Sequence, residues 1–145
     1  MNTKKEMITA QQSSKNQNKN IQIISPPGEF LFYQTEDGKM KIEVRLQDET
    51  VWLTQAAMAE LFQNTKQNIS LHIKNIFEEG ELELSRVVKE YLTTAADEKK
   101  YRTNFYNLEM IIAVGYRVRS PQGTQFRKWA TERLNEYLVK GFTID

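Results

Sequence analysis

Gln67, Ser70, Leu71, Lys74 and Asn75 recur three or four residues apart, the spacing that places side chains on one face of an α-helix. Their types are those that read duplex DNA. Gln and Asn pair bidentately with adenine, Ser donates or accepts, Lys reaches guanine or phosphate, and an exposed Leu touches the thymine methyl. At about 100° per residue, Ile69, Ile73 and Ile76 fall on the opposite side, so the same helix has an apolar back to bury. A polar helix face is most often merely solvated, and the segment before it decides the matter. Met58, Ala59, Leu61 and Phe62 predict a preceding helix in which the small Ala59 lets a second helix cross at close range. Thr65 is placed to cap the second helix, its hydroxyl accepting a backbone N–H, and Thr65, Lys66 and Asn68 join Gln67, Ser70, Leu71, Lys74 and Asn75 as candidate DNA contacts. The whole has the spacing of a DNA-binding helix-turn-helix. Gln63 stands where such turns often carry Gly, and Asn64 tolerates a left-handed backbone, which makes the turn feasible.

Further cationic side chains cluster in two places. Lys99, Lys100 and Arg102 surround one turn, and Arg117, Arg119, Arg127 and Lys128 another; Lys99, Lys100, Arg102, Arg117 and Arg119 are candidate phosphate contacts. Local patches matter here because the net charge is only +1, far from the strongly basic balance of many dedicated DNA binders. The acidic run Glu78, Glu79, Glu81 and Glu83 is expected to be a solvated loop that pulls the total down.

Little points to catalysis. His72 is the single histidine and lies on the flank of the proposed recognition helix, where packing or a phosphate contact is a better account than a general base. No cysteine is present, which removes disulfides, thiolate zinc sites and cysteine nucleophiles together. No phosphate-binding loop, dinucleotide glycine turn or nucleophile elbow occurs. The expectation is therefore a protein that is no enzyme, with no catalytic residue, no metal and no cofactor. The start of the chain lacks the apolar stretch of a signal peptide, and no apolar run approaches the roughly 18 residues of a membrane span. A cytoplasmic protein with no membrane partner is expected.

At 145 residues, 39% of them hydrophobic, the chain suits one domain with a real core. Residues 1–28 are polar, rich in Gln, Asn, Lys and Ser, and read as a disordered tail ending at Ser25-Pro26-Pro27-Gly28. Residues 29–145 are expected to form the domain. Phe30–Gln34 and Met40–Leu46 flank an Asp37-Gly38 turn, a strong hairpin signal, and Thr50–Leu53 predicts a third strand leading into the helix-turn-helix. Arg86–Thr94 and Lys100–Tyr106 then read as a second hairpin, which after a recognition helix would be a wing. Asn107 is expected to cap a helix with Leu108, Ile111, Ile112 and Tyr116 on one face. Thr124 is expected to cap a last helix carrying Phe126, Trp129, Ala130, Arg133, Leu134, Tyr137 and Leu138 and ending at Gly141. The expected fold is α+β, a winged helix-turn-helix with an N-terminal β-hairpin and two C-terminal helices. The aromatic stripe of the last helix is expected to be core or a homodimer seam.

Trp52-Leu53-Thr54-Gln55, Met58-Ala59-Glu60-Leu61-Phe62 and Asn68-Ile69-Ser70-Leu71-His72-Ile73-Lys74-Asn75-Ile76, continued by Tyr106-Asn107-Leu108, Gly115-Tyr116-Arg117-Val118 and Gly123-Thr124-Gln125-Phe126-Arg127 with Trp129-Ala130-Thr131, closely resemble the amino-terminal part of the RhuM virulence-protein family. The similarity runs from roughly residue 30 to the end. By order of elements the chain is also similar, more distantly, to the Bro-type amino-terminal domain of phage and viral antirepressors. The resemblance implies a bacterial protein of mobile or pathogenicity islands, from a family described as DNA-binding or uncharacterised and without an agreed catalytic activity. Family members usually continue past the position of Asp145, so the chain is expected to be either the amino-terminal module alone or the product of a truncated gene that lacks a carboxy-terminal domain. The function expected is a DNA-binding module, sequence-specific or general, acting as a transcriptional regulator on double-stranded DNA. The alternative is a non-catalytic protein-interaction or dimerisation module whose helix-turn-helix is only scaffold.

Overall fold

A computed structural model describes residues 29–35, 37–94 and 96–144, with side chains as far as Val139. The tail expected over residues 1–28 lies outside the described residues. The fold is α+β, with five antiparallel strands and five helices among the described residues. Internal contacts divide the chain into two compact units, whose described residues lie within 89–105 for one and within 29–88 and 106–144 for the other.

The larger unit opens with a three-stranded meander, β1 (Glu29–Gln34), β2 (Lys41–Gln47) and β3 (Thr50–Thr54). Its register pairs Leu31 with Val44, Tyr33 with Ile42 and Gln47 with Thr50. Alternation decides the faces at the start of β2: Ile42 and Val44 are buried while Lys41 and Glu43 are exposed, and Arg45, 1% exposed between Val44 and the buried Leu46, breaks the pattern. The first hairpin turns at Asp37-Gly38 as expected. Gly38 has φ +72°, and the Asp37 carboxylate accepts from the Thr35 hydroxyl at 2.7 Å and the Lys39 N–H at 3.0 Å. Those bonds hold its pKa below the usual range, the Thr35 hydroxyl most of all. The second turn gives no such signal in sequence. Asp48 and Glu49 both take positive φ, 55° and 62°, the two-residue geometry that matches strand twist but ordinarily selects Asn or Gly.

Two helices follow, α1 (Gln55–Phe62) and α2 (Lys66–Glu78). Met58, Leu61, Phe62, Ile69, Ile73 and Ile76 are buried as the spacing predicts, Ala59 is buried at 8% exposure, and α1 packs on α2. Beyond them the structure corrects the expected strand at Arg86. Leu84–Val87 is a helical turn, α3, because Asn107 donates its amide to the Arg86 carbonyl at 3.2 Å and Arg86 pairs with Glu109 at 3.2 Å. Tertiary partners outweigh the strand preference of a Val-rich run.

Asn107 caps α4 (Leu108–Arg117) as expected, accepting from the Met110 N–H at 3.3 Å. The buried face of α4 is different from the one expected: Met110, Ile111, Ala113 and Val114 point inward, whereas Ile112 and Tyr116 are exposed, Tyr116 at 86%. The last helix, α5 (Gln122–Ile144), starts two residues before Thr124, so Thr124 lies inside it and is not its cap; Ser120 Oγ accepts from the Gln122 N–H at 3.1 Å. Nor does Gly141 end the helix, which runs on to Ile144. Phe126 and Ala130 are fully buried, and exposure then grows along the helix through Tyr137 (37%), Leu138 (44%) and Val139 (62%). Tyr33 meets Phe126 and Trp129 edge-on, each at 5.2 Å between ring centres, which joins α5 to β1. No helix among the described residues is long and apolar enough to cross a membrane.

The smaller unit, Lys89–Phe105, holds most of a hairpin of β4 (Val88–Thr94) and β5 (Lys100–Asn107). Tyr91 and Phe105 stack edge to face at 5.4 Å, and the hydroxyls of Thr93 and Thr103 meet at 2.7 Å, cross-strand pairs of the kind that stabilise a ladder. At the tip Glu98 has φ +66°. The Tyr101 hydroxyl donates to Asp97 at 2.7 Å, and that bond is the main reason the Asp97 pKa lies below and the Tyr101 pKa above their ordinary values.

Candidate nucleic-acid interface

Two threonines and one left-handed glutamine fix the pair of helices α1 and α2. Thr54 caps α1, its hydroxyl accepting from the Ala57 N–H at 3.1 Å. Thr65 caps α2 in the same way, accepting from the Asn68 N–H at 3.0 Å. Between them the left-handed residue is Gln63 (φ 52°, ψ 54°), not Asn64. Its N–H bonds the Glu60 carbonyl and the next N–H bonds the Ala59 carbonyl, the paired bonds of a Schellman stop that glycine usually makes. Asn64 serves the turn through its side chain instead: Oδ1 accepts from the Thr65 N–H at 2.8 Å and the Asn68 amide at 3.0 Å. The Gln55 amide reaches the Lys66 carbonyl at 2.9 Å, tying the start of α1 to the start of α2.

These bonds separate the predicted contact residues into two groups. Thr65 and Asn68 hold the turn, and Asn68 and Asn75 are half-buried. Lys66, Gln67, Ser70, Leu71 and Lys74 are exposed, with Leu71 at 52%. The Lys74 ammonium lies 3.9 Å from Glu78, an exposed pair too weak to hold it. α2 stops at Gly80 (φ +77°), where the Gly80 and Glu81 N–H groups return to the Phe77 and Ile76 carbonyls.

Arg117 is placed differently from the other candidates. Its guanidinium reaches Glu79 and Glu81, each at 2.8 Å, with only 23% of the side chain exposed. The hydrogen bond to Glu79 leads the upward shift of the Arg117 pKa, and the same bond holds the Glu79 carboxyl below its usual range. The acidic run is thus partly a clamp joining the end of α2 to the end of α4, beyond the solvated loop expected of it. Sequence distance hid the pairing, since 38 residues separate Glu79 from Arg117.

Arg119 is exposed and holds a left-handed backbone, φ 56°. In the hairpin, Lys99 and Lys100 are exposed, and Arg102 lies 3.4 Å from Glu90. Among the described residues no group of three or more His, Cys, Asp or Glu is placed to hold a metal ion. No curated protein and no solved structure matches the chain. The model of the Virulence protein RhuM family matches residues 52–145, from Trp52 in β3 through every helix and the hairpin, a narrower span than the resemblance from residue 30 implied, and the chain belongs to that family.

Proposed function

We propose that this chain is a non-catalytic DNA-binding module of a transcriptional regulator, acting in the bacterial cytoplasm, with α2 as the helix that reads duplex DNA. One observation carries this reading: Gln67, Ser70, Leu71 and Lys74 form a solvent-facing arc on α2, while its three isoleucines are buried and its N-terminus is fixed by the Thr65 cap. Base readout needs that combination of free side chains on a held helix. Lys66 at the first turn suits a phosphate. Arg117 has no part in it, because Glu79 and Glu81 already neutralise it.

Selection of duplexes from a random pool, followed by retardation assays, tests the reading. Gln67→Ala and Lys74→Ala should each cost about 1–3 kcal/mol of affinity for the selected site with little change in melting temperature, since both side chains are exposed. Equal affinity of both variants and the parent for that site would remove α2 as the reading helix.

The hairpin is proposed to add phosphate contacts through Lys99 and Lys100. Neutralising both should weaken binding to all sequences alike and flatten the salt dependence by about one unit of slope per lost contact. An unchanged slope in the double lysine variant would exclude the hairpin from the interface.

A second reading, a dimerisation or protein-interaction module, is favoured by the exposed Tyr137, Leu138 and Val139 on α5. On that reading the chain is a homodimer and loses no DNA affinity with salt, having none to lose. Sedimentation across concentration and a salt titration separate the two.

A further inference from the structure

The groove between α4 and α5 has a composition that DNA reading by α2 does not use. Its floor is main chain. Gly115 and Gly123 bring the two helices together so closely that a Cβ placed on Gly115 would stand 3.7 Å from the Gly123 Cα and 2.9 Å from the Phe62 ring. Ile112 and Tyr116 rise on the α4 side and Thr124 and Arg127 on the α5 side. Arg119 and Ser120 close the corner around a volume of about 470 Å³, within the range of small-molecule sites.

Two features of the lining define the chemistry. Arg119 and Arg127 are exposed, neither is engaged in an ion pair among the described residues, and no carboxylate lines the groove. Planar guanidiniums match phosphate oxygens in a fixed fork. Beside them the Tyr116 ring is 86% exposed, with Ile112 one turn earlier at 37%. An uncovered aromatic face next to paired cations accepts a flat base, since stacking tolerates any base. An acidic peptide would satisfy the arginines and leave that ring without a flat partner.

Arg119 adds a further sign. It sits at the left-handed position of a Schellman stop, where the Arg119 N–H bonds the Tyr116 carbonyl and the Ser120 N–H bonds the Gly115 carbonyl. Glycine holds that position at lower cost. The backbone there places the arginine at the corner of the groove.

We propose that the α4–α5 groove binds one nucleotide unit, its phosphate on Arg119 and Arg127 and its base on Tyr116. The unit comes either from a free mononucleotide or from an unpaired nucleotide of a strand, and the site does not depend on α2 reading duplex DNA.

Calorimetric titration of the full chain with adenosine monophosphate, adenosine, inorganic phosphate and a short single-stranded oligodeoxynucleotide tests this. Adenosine monophosphate should bind, and adenosine and phosphate alone should each bind at least about tenfold more weakly. Arg127→Ala and Arg119→Gly should lower affinity at least about tenfold, the loss expected of one charge-assisted bond. Arg119→Gly should melt at or above the parent, which distinguishes a lost ligand contact from a lost fold. Tyr116→Ala should weaken binding and Tyr116→Phe should retain it, as stacking requires. Lys128→Ala, a neighbouring charge outside the groove, should leave binding unchanged. Tighter binding of the oligonucleotide, lost in the same variants, would identify a strand as the source; binding of the mononucleotide alone would identify the free molecule. The proposal is overturned if neither binds up to millimolar concentration, if the groove variants bind as the parent does, or if only an acidic peptide binds.

Discussion

Phe126→Ala should lower the melting temperature by roughly 12–20 °C, from a loss of about 3–5 kcal/mol. Phe126 has no exposed surface. Its ring contacts Tyr33 at 5.2 Å and Trp129 at 5.7 Å, so truncation leaves a cavity between β1 and α5 and removes the edge of an aromatic cluster. Trp129, only half-buried, should cost less when truncated, contrary to the larger role its size suggests. Tyr137→Ala, exposed at 37%, should change the melting temperature little. If the final stripe were instead a dimer seam throughout, the Phe126 variant would show a concentration-dependent shift to monomer in sedimentation. A Phe126→Ala protein that melts with the parent would sink the assignment of α5 to the core. Should that variant fail to fold, Phe126→Leu, which conserves most of the volume, should fold and melt between the two.

Gly115→Ala should destabilise by about 1–3 kcal/mol, an unusual outcome inside a helix, where alanine ordinarily gains over glycine. The sign reverses because the new methyl would stand 2.9 Å from Phe62 Cζ and 3.0 Å from Cε1. The buried Phe62 ring, 6% exposed, must then move. Gly123→Ala is the contrasting case: its methyl would meet the same ring at an ordinary 3.8 Å and should be tolerated. Thermal denaturation of the double variant Gly115→Ala with Phe62→Leu measures the coupling. The two changes together should cost less than their sum, because the smaller side chain relieves the contact. Strict additivity would show that Gly115 serves something other than room for Phe62.

The elements with local signals were legible in the sequence. Alternation and an Asp-Gly turn marked the first hairpin, and β-branched and aromatic runs marked the second. Isoleucines at helical spacing marked the back of α2, while Thr65 and Asn107 marked their helix starts. Each of these rests on interactions within a few residues, which is why one chain read in order reveals them. The family, too, was legible, carried by Trp52 onward.

What the sequence left open was decided in one place by which residue of a local turn takes the left-handed conformation, and elsewhere by partners far along the chain. The left-handed residue of the first helix stop is Gln63, and Asn64 is turned inward to its own cap bonds. Leu84–Val87 became a helical turn because Asn107 and Glu109 hold Arg86. Arg117, one of several cations by type, is clamped by two carboxylates of the α2 end. Ile112 and Tyr116 look like core on a helical wheel, yet the approach of α4 to α5 at Gly115 and Gly123 turns them outward to line a groove. Helical spacing fixes which residues share a face; which face is buried depends on where the neighbouring helix packs, and that is settled only when the whole core closes.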